Sequence, residues 1–231
     1  MLDGLKTKDV ATASMMLLKG DVIAVPTDSV YALAASVKCP KSIDKIFDLK
    51  SRSREKNITL VLPSIQALEE ADPIFHDRLW AYIKYCCPCS VGFVVPKGDW
   101  LDNICPKSKD LIGDKTSICI RIPNCTILSL LTLTSGPLVI SSANIGGEPD
   151  STSSSMVQQA FGNKIAGILC GGDSPQKKSS SIVNCLHFDS DQISYFRIEG
   201  TDQKKLFDDY QAAKLNVINR SITSILGTQN T

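Results

Sequence analysis

Along this chain, short apolar runs of strand character alternate with stretches of helical period, and the elements end in residues rich in chemistry. Pro26-Thr27-Asp28-Ser29-Val30-Tyr31 follows the apolar run 22–25, and Ser141-Ser142-Ala143-Asn144 closes the run 138–141. Lys50-Ser51-Arg52 follows a segment in which Ile43, Ile46, Phe47 and Lys50 recur at helical spacing. Hydroxyls, cations and an amide therefore stand where elements end, which is where open α/β sheets build their sites. The alternation, with no internal repeat and no linker-like break in composition, predicts one α/β domain with a mixed sheet.

The periodicity predicts a helix over 7–19 terminated by Gly20, and a helix opened by Pro40, since proline suits the first helical turn. Strands are expected at 22–25, 58–62, 91–95, 117–121, 138–141, 165–170, 181–185 and 194–198. Helices are expected over 64–71 and 73–85, joined by a kink at Asp72-Pro73, then over 127–134, just after 155, and from about 201. Residues 96–115 are polar and turn-rich and read as a mobile loop; a Gly/Ser/Pro-rich loop covers 143–155. The polar end beyond Gly227 is expected to fray.

Composition limits the partners. A chain of 231 residues, 43% hydrophobic, can bury one sizeable core or two small ones. A net charge of +1 gives no global field toward nucleic acid or membrane, so any anion site is local. No apolar run approaches the roughly 18 residues of a bilayer span. The start of the chain lacks both a secretory signal and an Arg-rich transit segment, so a cytoplasmic protein is expected; a mitochondrial isoform with an added N-terminal segment stays compatible with it. Nine scattered cysteines are an odd count and read as reduced thiols. Cys86-Cys87-Pro88-Cys89 has C-x-x-C spacing, but it closes a helical stretch instead of opening one, so it reads as packing or loop cysteines. His76 and His187 are not at ligand spacing from a cysteine pair, and no metal-ligating residue is assigned.

Each chemistry-bearing segment also has a plain structural reading. The 26–31 segment is an ordinary strand-to-turn signal as well as a set of oxygens. Lys50, Arg52, Arg54 and Lys56 place cations together, either as a solvated basic loop or as forks and point charges for phosphate. Arg121, at a strand end, can snorkel or face a cleft. Ser142 and Asn144 can bind a ligand or hold a turn, and Ser179-Ser180-Ser181 can be a polar loop.

In joint order, P-T-D-S-V-Y, K-S-R, Arg121-Ile122-Pro123, S-A-N and Ser180-Ser181-Ile182-Val183 resemble the motifs of the YrdC/Sua5 family, the threonylcarbamoyl-adenylate synthases. The resemblance covers about residues 5–200, leaving 201–231 as a C-terminal helix and frayed tail. It implies a twisted mixed sheet flanked by helices around a large electropositive cavity. It also implies formation of threonylcarbamoyl-AMP and pyrophosphate from L-threonine, bicarbonate and ATP, for the t6A modification of tRNA. On this resemblance Lys50 and Arg52 are catalytic; Ser29, Arg121 and Ser180 bind threonine; and Arg52, Lys56, Ser117, Ser142, Asn144 and Arg197 bind ATP. Mg2+ is expected with ATP, with no tightly bound cofactor. The implied partners are a downstream threonylcarbamoyl transferase complex and tRNA or double-stranded RNA, with no membrane.

The chain departs from the family pattern at several positions. Ser29 stands where threonine is usual, Ala32 where glycine is, Val61 where many members carry histidine, and Asn184 where aspartate is usual. Asp150 falls where some members place an ATP-contacting serine, and would repel phosphate. The alternative these departures imply is a weak or inactive protein of the same fold that binds nucleotide or double-stranded RNA. Carbamoyl transfer to another substrate, as in the related domain of hydrogenase-maturation carbamoyltransferases, belongs to a longer chain.

Overall fold

The computed structural model describes residues 1–4, 6–51, 58–188 and 193–227, with side chains through 219. In chain order it runs β1 (Leu2–Asp3), α1 (Thr7–Lys19), β2 (Ile23–Val25), β3 (Ala32–Ser36), α2 (Pro40–Leu49) and β4 (Thr59–Val61). Next come α3 (Ile65–Glu70), α4 (Asp77–Cys86), β5 (Gly92–Pro96), β6 (Ser117–Arg121), α5 (Thr126–Ser135) and β7 (Leu138–Ser142). The chain closes with α6 (Ser154–Phe161), β8 (Gly167–Cys170), β9 (Ile182–Asn184), β10 (Ser194–Arg197) and α7 (Gln203–Gly227). The strands form one mixed sheet in the order β1-β8-β2-β3-β7-β4-β6-β5-β9-β10. β1–β8, β2–β8, β4–β6 and β5–β9 pair parallel and the other neighbours antiparallel.

Local chemistry sets the element ends. Gly20 ends α1 at φ 88°, in the left-handed region that glycine enters without a Cβ penalty. There its N–H donates to the Leu17 carbonyl at 3.1 Å, and the Asp21 N–H donates to Met16 at 3.0 Å. Pro40 occupies the first turn of α2, as expected. Asp72-Pro73 is not a kink between touching helices. α3 and α4 are separate, and Asp72 turns at φ 57°, a conformation aspartate tolerates better than most residues.

The sheet buries both faces, and alternate residues choose between them. Ile23 and Val25 of β2, Ala32 and Ala34 of β3, and Leu138 and Ile140 of β7 meet Val10, Ala13 and Leu17 of α1 and Leu128 and Leu131 of α5. The intervening residues Ala24, Leu33 and Val139 face the larger core, with Ile43 and Ile46 of α2, Tyr82 and Ile83 of α4, and Phe161 of α6. On their face of the sheet α1 and α5 pack over β2, β3 and β7, and Val61 of β4 joins the same buried cluster.

Two segments differ from expectation. β3 was not foreseen as a strand, because Ala32-Leu33-Ala34-Ala35-Ser36 lacks the β-branched and aromatic residues that mark strands. It is nevertheless central and fully buried between β2 and β7, and small residues are what let both helix layers approach it. Residues 96–115 are a packed segment and not a loose loop. Trp100, Leu101, Cys105 and Ile112 are buried, and the Ser108 hydroxyl donates to the Val37 carbonyl. Irregular spacing hid these anchors from a periodicity argument.

α7 is held by its first half. Leu206, Tyr210 and Ala213 are buried against α4, where Tyr82, Phe188 and Tyr210 form an aromatic cluster with centroids 5.1–5.9 Å apart. Tyr82 donates its hydroxyl to the Leu206 carbonyl at 3.2 Å. Tyr210→Ala should therefore cost about 3–5 kcal/mol in urea unfolding, as emptying a buried aromatic site does. Leu215→Ala, on a side chain 58% exposed, should shift it by less than about 0.5 kcal/mol.

Candidate functional site

A cleft lies against the sheet at the ends of β3, β4, β6 and β7, reaching Ala32 and Ile140 at the margin of the α1/α5 cluster. It encloses about 500 Å³, open solvent at its mouth included. Its walls come from four places: the turn after β2 (Thr27, Ser29), the end of β6 (Arg121), the end of β7 (Ser141, Ser142), and the β9–β10 edge (Ser179, Ser180, Arg197). Among the described lining residues only Arg121 and Arg197 carry charge.

The turn after β2 is folded by its own hydroxyls. Thr27 Oγ1 donates to the Val30 carbonyl at 2.8 Å and accepts the Ser29 N–H at 3.0 Å, leaving Ser29 Oγ buried beside it. Asp28 then faces Arg121. Arg121 Nη2 donates to Asp28 Oδ1 and, at 3.0 Å, to Ser29 Oγ. The other Asp28 oxygen accepts the Asn124 N–H at 2.8 Å. The Arg121 and Asp28 side chains are 4% and 10% exposed. Arg121 Nε is buried and has no hydrogen-bond partner among the described residues. An unsatisfied buried donor on a charged group costs about 1–3 kcal/mol or more, and the guanidinium itself lines the cleft, where an anionic ligand would be favoured.

Lys50 is placed differently from the sequence expectation. It is buried, and its ammonium donates to the Ser142 carbonyl (2.5 Å), the Asn144 carbonyl (2.6 Å) and Asn144 Oδ1 (3.0 Å). Those oxygens match the three donors of an ammonium. Lys50 thus fastens the turn after β7 and is not among the residues that line the cleft. Asn144 belongs to the same network. Its Oδ1 also accepts the Ser142 hydroxyl at 2.6 Å, and its Nδ2 donates to the Glu148 carbonyl at 2.6 Å. Ser142 reaches the cleft and Asn144 holds the turn that presents it.

At the opposite wall, Ser179 donates to Asp150 Oδ2 at 2.6 Å. Ser181 donates to the Thr201 carbonyl at 2.7 Å and accepts the N–H groups of Glu199 and Thr201. Arg197 follows a register shift between Tyr195 and Arg197, the kind of bulge that re-aims a side chain. Its Nε donates to the Ser180 carbonyl at 2.8 Å and its Nη2 to Ser180 Oγ at 3.4 Å.

The structure therefore brings Ser29, Arg121, Ser142, Ser180 and Arg197 to one cleft and ties Lys50 and Asn144 to Ser142 outside its lining. Ser117 is not among the lining residues; its hydroxyl donates to Asp114 Oδ2 at 2.6 Å in a turn before β6. Arg52 and Lys56, with Arg54, lie outside the described residues. Sequence reasoning assigned no role to Asp28, although its position between two hydroxyls of a strand-to-turn segment was the available signal. Ser179, part of the hydroxyl-rich 179–181 segment but given no role, also lines the cleft, as does Thr59, which carried no such signal.

The departures find local explanations. Ala32 sits in regular β3, paired with Ser142, and is not among the positive-φ residues, so no glycine freedom is needed there. Val61 is an apolar core residue. Asn184 Oδ1 accepts the Leu186 N–H at 3.2 Å, closing the turn after β9. The Asp150 carboxylate is engaged by Ser179 at the cleft wall.

Comparison with known proteins places this geometry among relatives. The Sua5/YciO/YrdC family model, described as "Telomere recombination", matches residues 15–198. The chain is 28% identical over 187 residues to the threonylcarbamoyl-AMP synthase of Bacillus subtilis (strain 168), covering 79% of this chain and 52% of that protein. It is 29% identical over 170 residues to the protein of that name from Vibrio parahaemolyticus, covering 72% of this chain and 88% of the relative. The chain thus spans about half the length of the Bacillus relative it matches. The fold is similar to that of P. abyssi Sua5 crystallised with L-threonine, at TM-score 0.78 and 23% identity, covering 88% of this chain and 58% of that one.

Lys50→Met should destabilise the protein by about 2–4 kcal/mol, because it leaves buried carbonyl oxygens without a donor. Thermal unfolding and faster amide exchange in 142–148 would register this, while Lys8→Met on the surface should do neither. Asp114 adds a pH signature. The Ser117 hydroxyl, then the N–H groups of Thr116 and Ser117, draw its carboxyl from an ordinary 3.8 down to about 2. A depressed folded value means stability that is present above about pH 3.8 and lost as pH falls toward about 2. Asp114→Asn should flatten the acid limb of urea midpoints in that window.

Proposed function

This chain belongs to the Sua5/YciO/YrdC family, and we propose that it is an L-threonylcarbamoyladenylate synthase. The observation that carries the reading is the buried Arg121 guanidinium in the cleft wall, oriented by Asp28, bonded to Ser29, with its buried Nε lacking a partner among the described residues. That is a preformed receiver for the carboxylate of an amino acid, with Ser29 and Ser180 within the same cleft for its hydroxyl. Relatives of the same name support it.

In this reading the threonine amine and bicarbonate form a carbamate. A carbamate oxygen attacks the α-phosphorus of ATP, and pyrophosphate leaves. Several anions share one cleft, so Arg121 and Arg197 offset their repulsion, and Arg52 and Lys56 belong with the phosphates. Ser142 receives the nucleotide side, and Lys50 and Asn144 act by holding Ser142 in place. Most of the rate then comes from alignment and fixed charge. Among the described residues no group of three or more His, Cys, Asp or Glu could hold a metal ion. In this reading magnesium would accompany the ATP phosphates, a mode that needs few protein ligands. Residues 5–200 form the catalytic domain, with 201–231 its C-terminal helix and tail. The product supplies a downstream threonylcarbamoyl transferase acting on tRNA. The nine unpaired cysteines support a reducing compartment such as the cytoplasm.

The test is pyrophosphate release from ATP in bicarbonate buffer with and without L-threonine. Threonine-dependent release is expected; none, with nucleotide still bound, would replace this reading with a binding protein of the same fold. Arg121→Ala should lower kcat/KM for threonine by about 30-fold or more, since truncating one partner of a buried charge pair costs about 2–5 kcal/mol. A melting curve checks that the variant is folded.

A further inference from the structure

We infer that Cys89 is a modification site, a thiol open to peroxides and soft electrophiles, set in a groove that shares the Asp28–Arg121 pair with the cleft. The groove encloses about 1250 Å³, open solvent at its mouth included, and Asp28, Cys86, Cys89, Ser90, Asn124 and Lys205 are among its lining. Arg121 lines the cleft and Asp28 lines the groove, so the pair stands between the two.

Three thiols gather here. Cys86 is the last residue of α4, and Cys86, Cys87 and Cys89 are all half-buried. The loop is pinned at both ends: the Cys87 N–H donates to the Ile83 carbonyl and the Cys89 N–H to the Ile122 carbonyl, each at 2.9 Å. The second bond seats Cys89 against the residue that follows Arg121. The thiols are not equivalent in this setting. The Cys87 thiol, the Val91 N–H and the Arg121 charge favour the Cys89 thiolate, against burial and the Asp28 carboxylate, and the balance lowers its pKa. Burial first, then the Cys89 and Asp209 charges, push Cys86 up, with Lys205 opposing. Cys87 is also raised, as the donor in its contact with Cys89. A thiol whose ionised form is favoured by a nearby cation, lining a groove open to solvent, is the setting in which cysteines react. This differs from a helix-opening redox pair, since Cys86 ends α4.

The peroxide step balances as written. The thiolate sulfur attacks one peroxide oxygen, an S–O bond forms and the O–O bond breaks. Hydroxide leaves, sulfur loses two electrons to become a sulfenic acid, and the peroxide is reduced. With iodoacetamide an S–C bond forms and iodide leaves.

The reduced full chain is pulsed with iodoacetamide at neutral pH, and separately with hydrogen peroxide and dimedone, which traps sulfenic acids. Tandem mass spectrometry then assigns each adduct. Cys89 is expected to alkylate about tenfold faster than its groove neighbour Cys86, since an ordinary thiol is only a few per cent ionised near neutral pH. It is also expected to carry the dimedone. Arg121→Gln should slow Cys89 severalfold and Asp28→Asn should speed it, with Cys86 unchanged in both. Buried Cys105 and Cys185 staying unlabelled shows that each variant is folded. Cys89 reacting no faster than Cys86, or dimedone found on Cys86 or Cys87 instead, overturns the proposal. None of these readouts depends on the synthase reading.

Discussion

The Asp28–Arg121 ion pair is the contact on which the cleft depends. Asp28 follows β2 and Arg121 ends β6, and β3, β7 and β4 lie between those strands in the sheet. Laid flat, that separation is four strand spacings, about 19 Å. A direct contact across it needs a coiled sheet and a turn that reaches inward. A second tie spans a similar distance: Ser179, just before β9, bonds Asp150 in the loop that follows β7. The two ties draw opposite parts of one sheet face toward each other, and the cleft is the space left between them. Burying such a pair is weak evidence for stability in itself, because desolvation opposes the Coulomb gain. Here its evident result is the fixed orientation of a guanidinium.

The turn after β7 shows the same principle without an anion. The Lys50 ammonium takes the place of missing N–H donors and gathers carbonyl oxygens from Ser142 and Asn144. A buried charge with complete hydrogen bonding is rigid, and truncating it exposes several oxygens at once. A lysine that resembles a phosphate contact in sequence can therefore act one step back, through the backbone it holds.

Helix coverage explains why the site is where it is. α1 and α5 bury one face over β2, β3 and β7, where apolar residues alternate with the pleat. On the same face Thr59, Ser142 and Arg121 stand beyond these apolar residues and line the cleft. Polar residues at sheet-facing positions would be destabilising under a helix; in an open cleft they hydrogen-bond to each other and to a ligand. The thiol groove then adjoins the cleft because the loop after α4 is tied to the end of β6.

Periodicity alone made most of the elements legible: α1 with its Gly20 terminator, α2 with Pro40, and the strands read as 117–121 and 138–141 all follow local rules of capping and alternation. The order of the motifs likewise made Ser29, Arg121, Ser142, Ser180 and Arg197 legible as one set. β3 was hidden, since an alanine-rich strand is stabilised by where it sits and not by its own propensity. The anchors within 96–115 were hidden because their spacing follows the core they enter and not a regular period. The division of labour in the site was also beyond the sequence. A lysine, an asparagine and a serine read there as equal candidates, and only the three-dimensional neighbours made Lys50 and Asn144 supports, tied Ser117 to Asp114, and gave Asp28 to Arg121. Sequence fixes which groups can donate and accept; which donor meets which acceptor is decided by the coiling of the sheet, a property of all its strands together.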